Sequence, residues 1–476
     1  MRLIGRAREQ EVLRQAMTSS EAELVAVYGR RRVGKTFLIR EALGSDVTFE
    51  LTGVHGAPVS EQLANFASAL AGHGRRPLTS APRDWLSAFA QLSASLKPRR
   101  GRKQVLFFDE LPWLASRRSG FLRAFEHFWN SWASRRRDLV VIVSGSAAAW
   151  MVRELLNARG GLHNRVTRSI RLEAFTVSET EAYFTARQMH LSRYALLELY
   201  AALGGVPHYL RQVERGDSTN VAIDRLCFAS DGALREEFGN LYASLFEHSE
   251  RHVKLVRALG AKPRGLSRTD LIAAAKLSTG GRASRTLEEL EHSGFVLRLP
   301  QYGLPANDAV YRLLDEFSLF HLKWIEPHRG RGDNVWINKH GSSAWRAWSG
   351  YAFEGICTRH VAQLKRALGI EAVETEESAW SHRPGGKEDR GTQIDLVIDG
   401  RHGAINLCEM KFSSGEFVID KRYADELRHK RETFRRVTGT KKSLLLTMVT
   451  TNGLRQNQYA RELVDKHLTM DALFAR

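Results

Sequence analysis

The stretch LVAVYGRRRVGKTFLIREAL, residues 24–43, decides how the chain is read. It opens on an apolar, β-rich run, passes through Gly29, Arg30, Arg31, Arg32, Val33, Gly34, Lys35 and Thr36, and leaves through the helix-patterned FLIREAL. Every fixed position of the phosphate-loop pattern GxxxxGK[ST] is filled, and a strand before and a helix after are the context that pattern needs. The glycines let backbone amides curl around a β-phosphate, and the helix N-terminus adds a favourable dipole. The residues expected to contact a nucleotide run from Gly29 to Phe37. Lys35 would bridge β- and γ-phosphates and Thr36 would place its hydroxyl on Mg²⁺, so ATP with Mg²⁺ is the expected cofactor.

About 70 residues further on, VLFFDE (105–110) gives four apolar residues of a buried strand ending in two acids. Asp109 is expected in the Mg²⁺ shell, and Glu110 is expected to orient and deprotonate the attacking water. The strand LVVIVSGS (139–146) ends in Ser144, Gly145 and Ser146, where a hydroxyl either senses the γ-phosphate or simply forms a turn. With VTFELTG (47–53) and SIRLEAF (169–175), these runs alternate with helical segments, which predicts a parallel sheet wrapped by helices.

The 476 residues exceed one ordinary core and suggest about three domains. There are 71 Lys and Arg against 53 Asp and Glu, a formal net charge of +18. Polyanions are the natural partners of such a chain, although solubility alone also accounts for excess charge. Basic runs at 98–103, 117–118 and 135–137 sit near loop signals. Cys227, Cys357 and Cys408 lack metal-ligand spacing and read as small core residues. The N-terminal residues have no signal-peptide core and no run is apolar enough to span a bilayer, so a cytoplasmic protein with no membrane partner is expected.

Residues 178–248 lose their strand signals and read as a small helical lid. Residues 249–330 read as three short helices and a two-stranded wing, a winged helix-turn-helix. Its third helix starts with Arg282, Ser284 and Arg285, suited to a major groove, but Glu288, Glu289 and Glu291 follow, so a structural coupler is an equal alternative. Residues 340–476 read as a second, smaller α/β domain, with linkers at 327–334 and 381–391. There Glu354 lies in a long helix, Asp395 ends TQID, and Glu409 and Lys411 stand on the next apolar strand. On neighbouring strands the Asp395 and Glu409 carboxylates would share one metal ion, while Lys411, two residues on, would face the same side and activate a water. An exposed charged hairpin is the plain alternative.

These motifs carry a resemblance over nearly the whole chain. LIGRAREQEVL, GRRRVGKT, FFDE, the SGS strand end and GGVPHYL together resemble the archaeal-type AAA+/STAND ATPases. That resemblance implies a core over 1–177 in which Gly5 and Arg6, with Gly205 and Pro207 of the lid, help enclose the adenine. It also implies that Arg165 reaches a γ-phosphate, unless it is an ordinary surface cation. Glu354, Asp395, Glu409 and Lys411, with YAFEGIC, QIDLVIDG and LCEMKF, resemble a PD-(D/E)XK nuclease fold, the restriction-endonuclease-like α/β domain fused behind such ATPases. The one departure is that no proline stands ahead of Asp395, which divergent members of that class also lack. Both resemblances together imply an ATPase coupled to a Mg²⁺- or Mn²⁺-dependent nuclease acting on nucleic acid, DNA by preference, with a homo-oligomer among the implied assemblies. The rival expectation is a nucleotide-driven switch whose C-terminal domain binds nucleic acid or protein without cutting.

Overall fold

A computed structural model describes residues 3–73, 81–99, 101–157, 162, 164–305, 307–329, 334–386 and 389–475. Residues 330–333 and 387–388 of the two expected linkers, and Arg100 of the first basic run, lie outside them. The chain forms two compact units, residues 1–174 and 175–476. The break falls three residues before the expected end of the core, because Thr176 caps the helix Val177–Ala186 through a reciprocal box with Glu179 and that helix belongs to the second unit. The lid, three-helix and C-terminal segments, expected as separate modules, share that unit.

In the first unit, strands β1 (Glu23–Tyr28), β2 (Val47–Thr52), β3 (Gln104–Asp109), β4 (Leu139–Gly145) and β5 (Arg168–Arg171) form a parallel sheet in the order β2-β3-β4-β1-β5. The central strands are apolar at successive positions because helices cover both faces. Alternation then sorts the side chains. Leu24, Ala26, Leu106, Phe108, Val141 and Val143 enter an aromatic cluster on one face. Val25, Val27, Phe107 and Ile142 pack on the other with Leu38 and Ile39 of the helix Lys35–Leu43. The order inserts β4 between β1 and β3. Tyr28 pairs with Gly145 and Phe108 with Val143, so the ends of all three strands meet at one edge.

The second unit begins with helices Val177–Ala186, Arg193–Leu203, Thr219–Cys227 and Glu237–Leu245. Helices Ser249–Gly260, Arg268–Ala274 and Gly281–His292 follow, with strands β6 (Leu266–Ser267), β7 (Val296–Leu299) and β8 (Val310–Leu313) in an antiparallel sheet of order β6-β8-β7. After the helix Ser343–Arg359 come β9 (Thr375–His382), β10 (Thr392–Gly400), β11 (Ala404–Lys411), the helix Lys421–Thr438, β12 (Ser443–Thr450) and β13 (Lys466–Thr469). Their order is β13-β12-β11-β10-β9, antiparallel from β9 to β11 and parallel from β11 to β13. The β7–β8 hairpin is fastened to the β9 edge: Ala379 N donates to Pro300 O and Tyr302 N donates to Ala379 O, both at 2.9 Å. The Tyr302 ring lies 5.0 Å from that of Phe434.

All three cysteines are buried and unpaired. Among the described residues no helix is long and apolar enough to cross a membrane. In the first unit Phe89 sits at the centre of the aromatic cluster, its ring within 4.8 to 6.3 Å of six others, among them Phe108 of β3 and Phe128. Phe89→Ala is therefore expected to cost about 3–5 kcal/mol, since a packed aromatic cluster cannot collapse onto the void. Denaturant unfolding should show the loss, and a change below about 1 kcal/mol would mean that the cluster does not hold the sheet.

Candidate functional site

The phosphate loop begins where β1 ends. At Gly29 φ is 153°, and a Cβ there would lie 2.1 Å from the Leu172 carbonyl oxygen, so no side chain fits. Arg32 and Gly34, with φ of 72° and 96°, carry the left-handed turns that bring the chain into its helix at Lys35.

Two short hydrogen-bond chains leave this loop. Lys35 Nζ donates to the carbonyls of Gly29 (2.9 Å) and Arg30 (3.2 Å) and to Ser146 Oγ (2.9 Å). The Ser146 hydroxyl donates in turn to Glu110, whose other carboxylate oxygen accepts from Ser146 N at 2.9 Å. In the second chain Thr36 Oγ1 donates to Asp109 Oδ2 at 2.8 Å, and Asp109 Oδ1 accepts from the Ser144 hydroxyl and from Glu110 N at 3.1 Å. Glu110 is set by a left-handed backbone, φ 51°, a conformation that costs a residue with a Cβ about 1–2 kcal/mol. Burial pulls the Lys35 pKa down, while Glu110 and then Asp109 hold it up. Hydroxyl and carboxylate oxygens at Thr36 and Asp109 are the hard donor set that Mg²⁺ takes.

The other expected nucleotide residues divide. Arg6 is buried at φ 58°, and its guanidinium donates to Glu173 O (2.6 Å) and Val33 O (3.3 Å), bonds that brace the loop's backbone. Gly5 O accepts from the Gln10 side chain at 2.7 Å. Val33 and Arg30 are buried, whereas Arg31 and Phe37 are exposed. Arg165 lies exposed in the turn before β5, and neighbouring Arg168 is paired with Glu23 at 3.3 Å. Gly205 and Pro207 belong to the second unit, where Gly205 O accepts from Phe175 N at 2.7 Å and Pro207 opens the helix Pro207–Leu210.

The C-terminal residues expected to act together do meet. The β10–β11 register pairs Leu396 with Cys408, so the next positions outward are Asp395 and Glu409, with Lys411 on the Glu409 side of β11. An irregularity in the β9–β10 pairing between Ile394 and Val397 falls at Asp395, whose Oδ2 accepts from Met410 N at 2.9 Å. Glu354 faces them from its helix. Burial first, and the Asp395 charge second, push the Glu354 pKa up to about 8.

Three partners were not legible in the sequence. Lys430 Nζ donates to both Glu409 oxygens at 2.8 Å, Tyr423 OH donates to one of them at 3.2 Å, and Arg312 of β8 is a buried cation whose strongest charged neighbours are Glu354 and Asp395. These contacts surround the expected residues. Glu409, read as a metal ligand beside Asp395, is fully buried and gives its carboxylate to Lys430, while Lys411 Nζ stands 3.8 Å from it. Among the described residues no group of three or more His, Cys, Asp and Glu is arranged to hold a metal ion.

No family model matches the chain. An uncharacterized protein of Methanocaldococcus jannaschii is 21% identical over 399 residues, 83% of each chain. Among solved structures, the Walker-type ATPase paby2304 of Pyrococcus abyssi has a TM-score of 0.49 at 18% identity, covering 67% of this chain and 96% of that one. The Aeropyrum pernix ORC2 protein, solved in ADPNP–ADP complexes, has a TM-score of 0.40 at 15% identity, covering 72% and 96%. The five-stranded parallel sheet carries, after its strand β1, a loop with every fixed residue of the GxxxxGK[ST] pattern.

Folded Glu354 keeps its proton to about pH 8, against an ordinary value of 4.5. The folded chain therefore binds the extra proton between those values, and its stability falls as pH rises across them. With chelator present, Glu354→Gln should gain melting temperature relative to wild type between about pH 5 and 8. Parallel curves for the two proteins would show that Glu354 titrates normally.

Proposed function

We propose that the chain is an ATP-hydrolysing P-loop ATPase of the AAA+/STAND type, coupled to a metal-dependent domain that cuts nucleic acid, DNA by preference. The observation that carries the ATPase half is the Lys35–Ser146–Glu110 chain, because it joins the phosphate-binding cation to the water-activating acid through one hydroxyl. Lys35 neutralises the β- and γ-phosphates and Glu110 takes the proton of the attacking water. Thr36 and Asp109 would hold Mg²⁺, which supplies charge neutralisation on the phosphates. Ser146 keeps Lys35 and Glu110 in register, and Arg165 offers its cation from an exposed turn.

Lys35→Ala is expected to abolish ATP binding, and Glu110→Gln to keep binding while hydrolysis falls by about 10²-fold or more. Labelled-nucleotide binding and phosphate release measure the two. Equal ATP affinity in wild type and Lys35→Ala would remove the site assignment.

In the C-terminal domain, Glu354 and Asp395 offer two crowded carboxylates with only oxygen donors, which fits a hard divalent cation that would polarise a phosphodiester. Lys411 would orient or activate the attacking water. Asp395→Ala and Lys411→Ala should each remove Mg²⁺- or Mn²⁺-dependent cleavage of labelled DNA and leave ATP hydrolysis near wild type. If Asp395→Ala cuts as well as wild type, the acids are not the site. A nucleotide-driven switch without cleavage is the second reading, favoured by the ion pair that already occupies Glu409.

A further inference from the structure

Beside the acid cluster runs a cleft of about 1180 Å³, walled on one side by the β6–β8 module and on the other by the C-terminal sheet. A second cavity of about 530 Å³ shares Arg312, Ala347, Tyr351 and Glu354 with the first, so the two spaces meet at the acids. Adjoining spaces on either side of the acids suit an extended ligand more than a small molecule, which is normally enclosed in one pocket.

Cations gather along the cleft beyond its acids Asp270 and Glu426. Arg264, Arg383 and Arg390 stand exposed along the larger space, and among the described residues none of the three is in an ion pair. At the junction Tyr351 is 39% exposed. It lies three residues before Glu354 in the helix Ser343–Arg359, and residues so spaced are neighbours on one helix face. Free arginines along a groove and an open aromatic face are the two elements by which proteins hold unpaired strands.

Resting on the phosphodiester reading above, we propose that this cleft takes single-stranded DNA, with Tyr351 stacking a base beside Glu354 and the rim arginines holding the flanking phosphates. A duplex fits poorly. Arg312 and Asp395 are sunk between the two walls, and the hairpin wall is tied to β9 by the backbone bonds at Pro300, Tyr302 and Ala379. Double-stranded DNA is stiff over about 150 base pairs, while a single strand bends and splays its bases into a groove.

The test is fluorescence anisotropy of the full chain with labelled oligodeoxythymidine of about ten nucleotides, and with a duplex of equal length, in chelator. Wild type is expected to bind the single strand about tenfold or more tighter than the duplex. Tyr351→Ala should weaken single-strand binding about fivefold or more, and Tyr351→Phe should restore it. The double variant Arg383→Ala with Arg390→Ala should flatten the salt dependence by about 0.7 log units per arginine. Unchanged melting temperatures show that the variants fold. Duplex binding as tight as single-strand binding, or a Tyr351→Ala affinity equal to wild type, overturns the proposal. Tight, tyrosine-dependent single-strand binding with no cleavage under any metal instead overturns the nuclease reading and leaves this one standing.

Discussion

Ser146 carries a single hydroxyl that accepts from Lys35 and donates to Glu110, and the first unit is organised so that this can happen. A serine in a sheet edge ordinarily bonds water. Here the order β2-β3-β4-β1-β5 places the end of β4 between the strand that carries the loop and the strand that carries the acids. Ser144 and Ser146, two residues apart, then serve different acids: Ser144 bonds Asp109 and Ser146 bonds Glu110. The left-handed backbone at Glu110 is the local cost of turning that carboxylate back toward β4. The sheet's apolar strands, buried on both faces, keep the geometry rigid enough for a strained residue to persist.

The second unit meets a different constraint, that of burying several acids together. Glu409 is completely enclosed and Glu354 and Asp395 are partly so. Burial, with the Asp395 charge second, raises the pKa of Glu354 to about 8 and of Glu409 to about 7. Three cations answer them. Lys430 comes from the helix Lys421–Thr438, Lys411 from β11, and Arg312 from β8 of the preceding module. Desolvated acids left unpaired would cost several kcal/mol each, so the cations are a condition of folding as much as of chemistry. Lys430 gives Glu409 a fixed partner, whereas Glu354 and Asp395 are matched to Arg312 at longer range.

Much of this was legible in the sequence where the signal is local. The loop has its fixed residues in one run, VLFFDE carries its own strand, and β10 and β11 each announce themselves as apolar runs ending near a charge. The strand bounds lie within a few residues of those runs, the largest difference being SIRLEAF, where β5 stops at Arg171. The residues that stayed hidden depend on pairing across distance. Lys430 is 21 residues from Glu409 and reads as one more cation in a basic helix, until the helix packs across the sheet. Tyr423 and Arg312 are hidden in the same way. The bonds from Arg6 to Val33 and Glu173 are likewise set by packing across the sheet and cannot be read from the sequence.

The hairpin of β7 and β8 joins these observations. It gives the backbone of residues 300–302 to the edge of β9 and the ring of Tyr302 to Phe434. The hairpin of the three-helix module is thereby held to the C-terminal sheet, while Arg282 and Arg285 at the start of its third helix stay exposed. The same hairpin supplies Arg312 to the acids, so its backbone position and the charge balance at Glu354 and Asp395 are one mechanical variable. Shifting β8 away from the acids would withdraw a cation and leave two crowded carboxylates in need of another, which a divalent ion supplies best. On the proposed reading, any metal held at these acids would be tied to the seating of a strand that belongs to a different module.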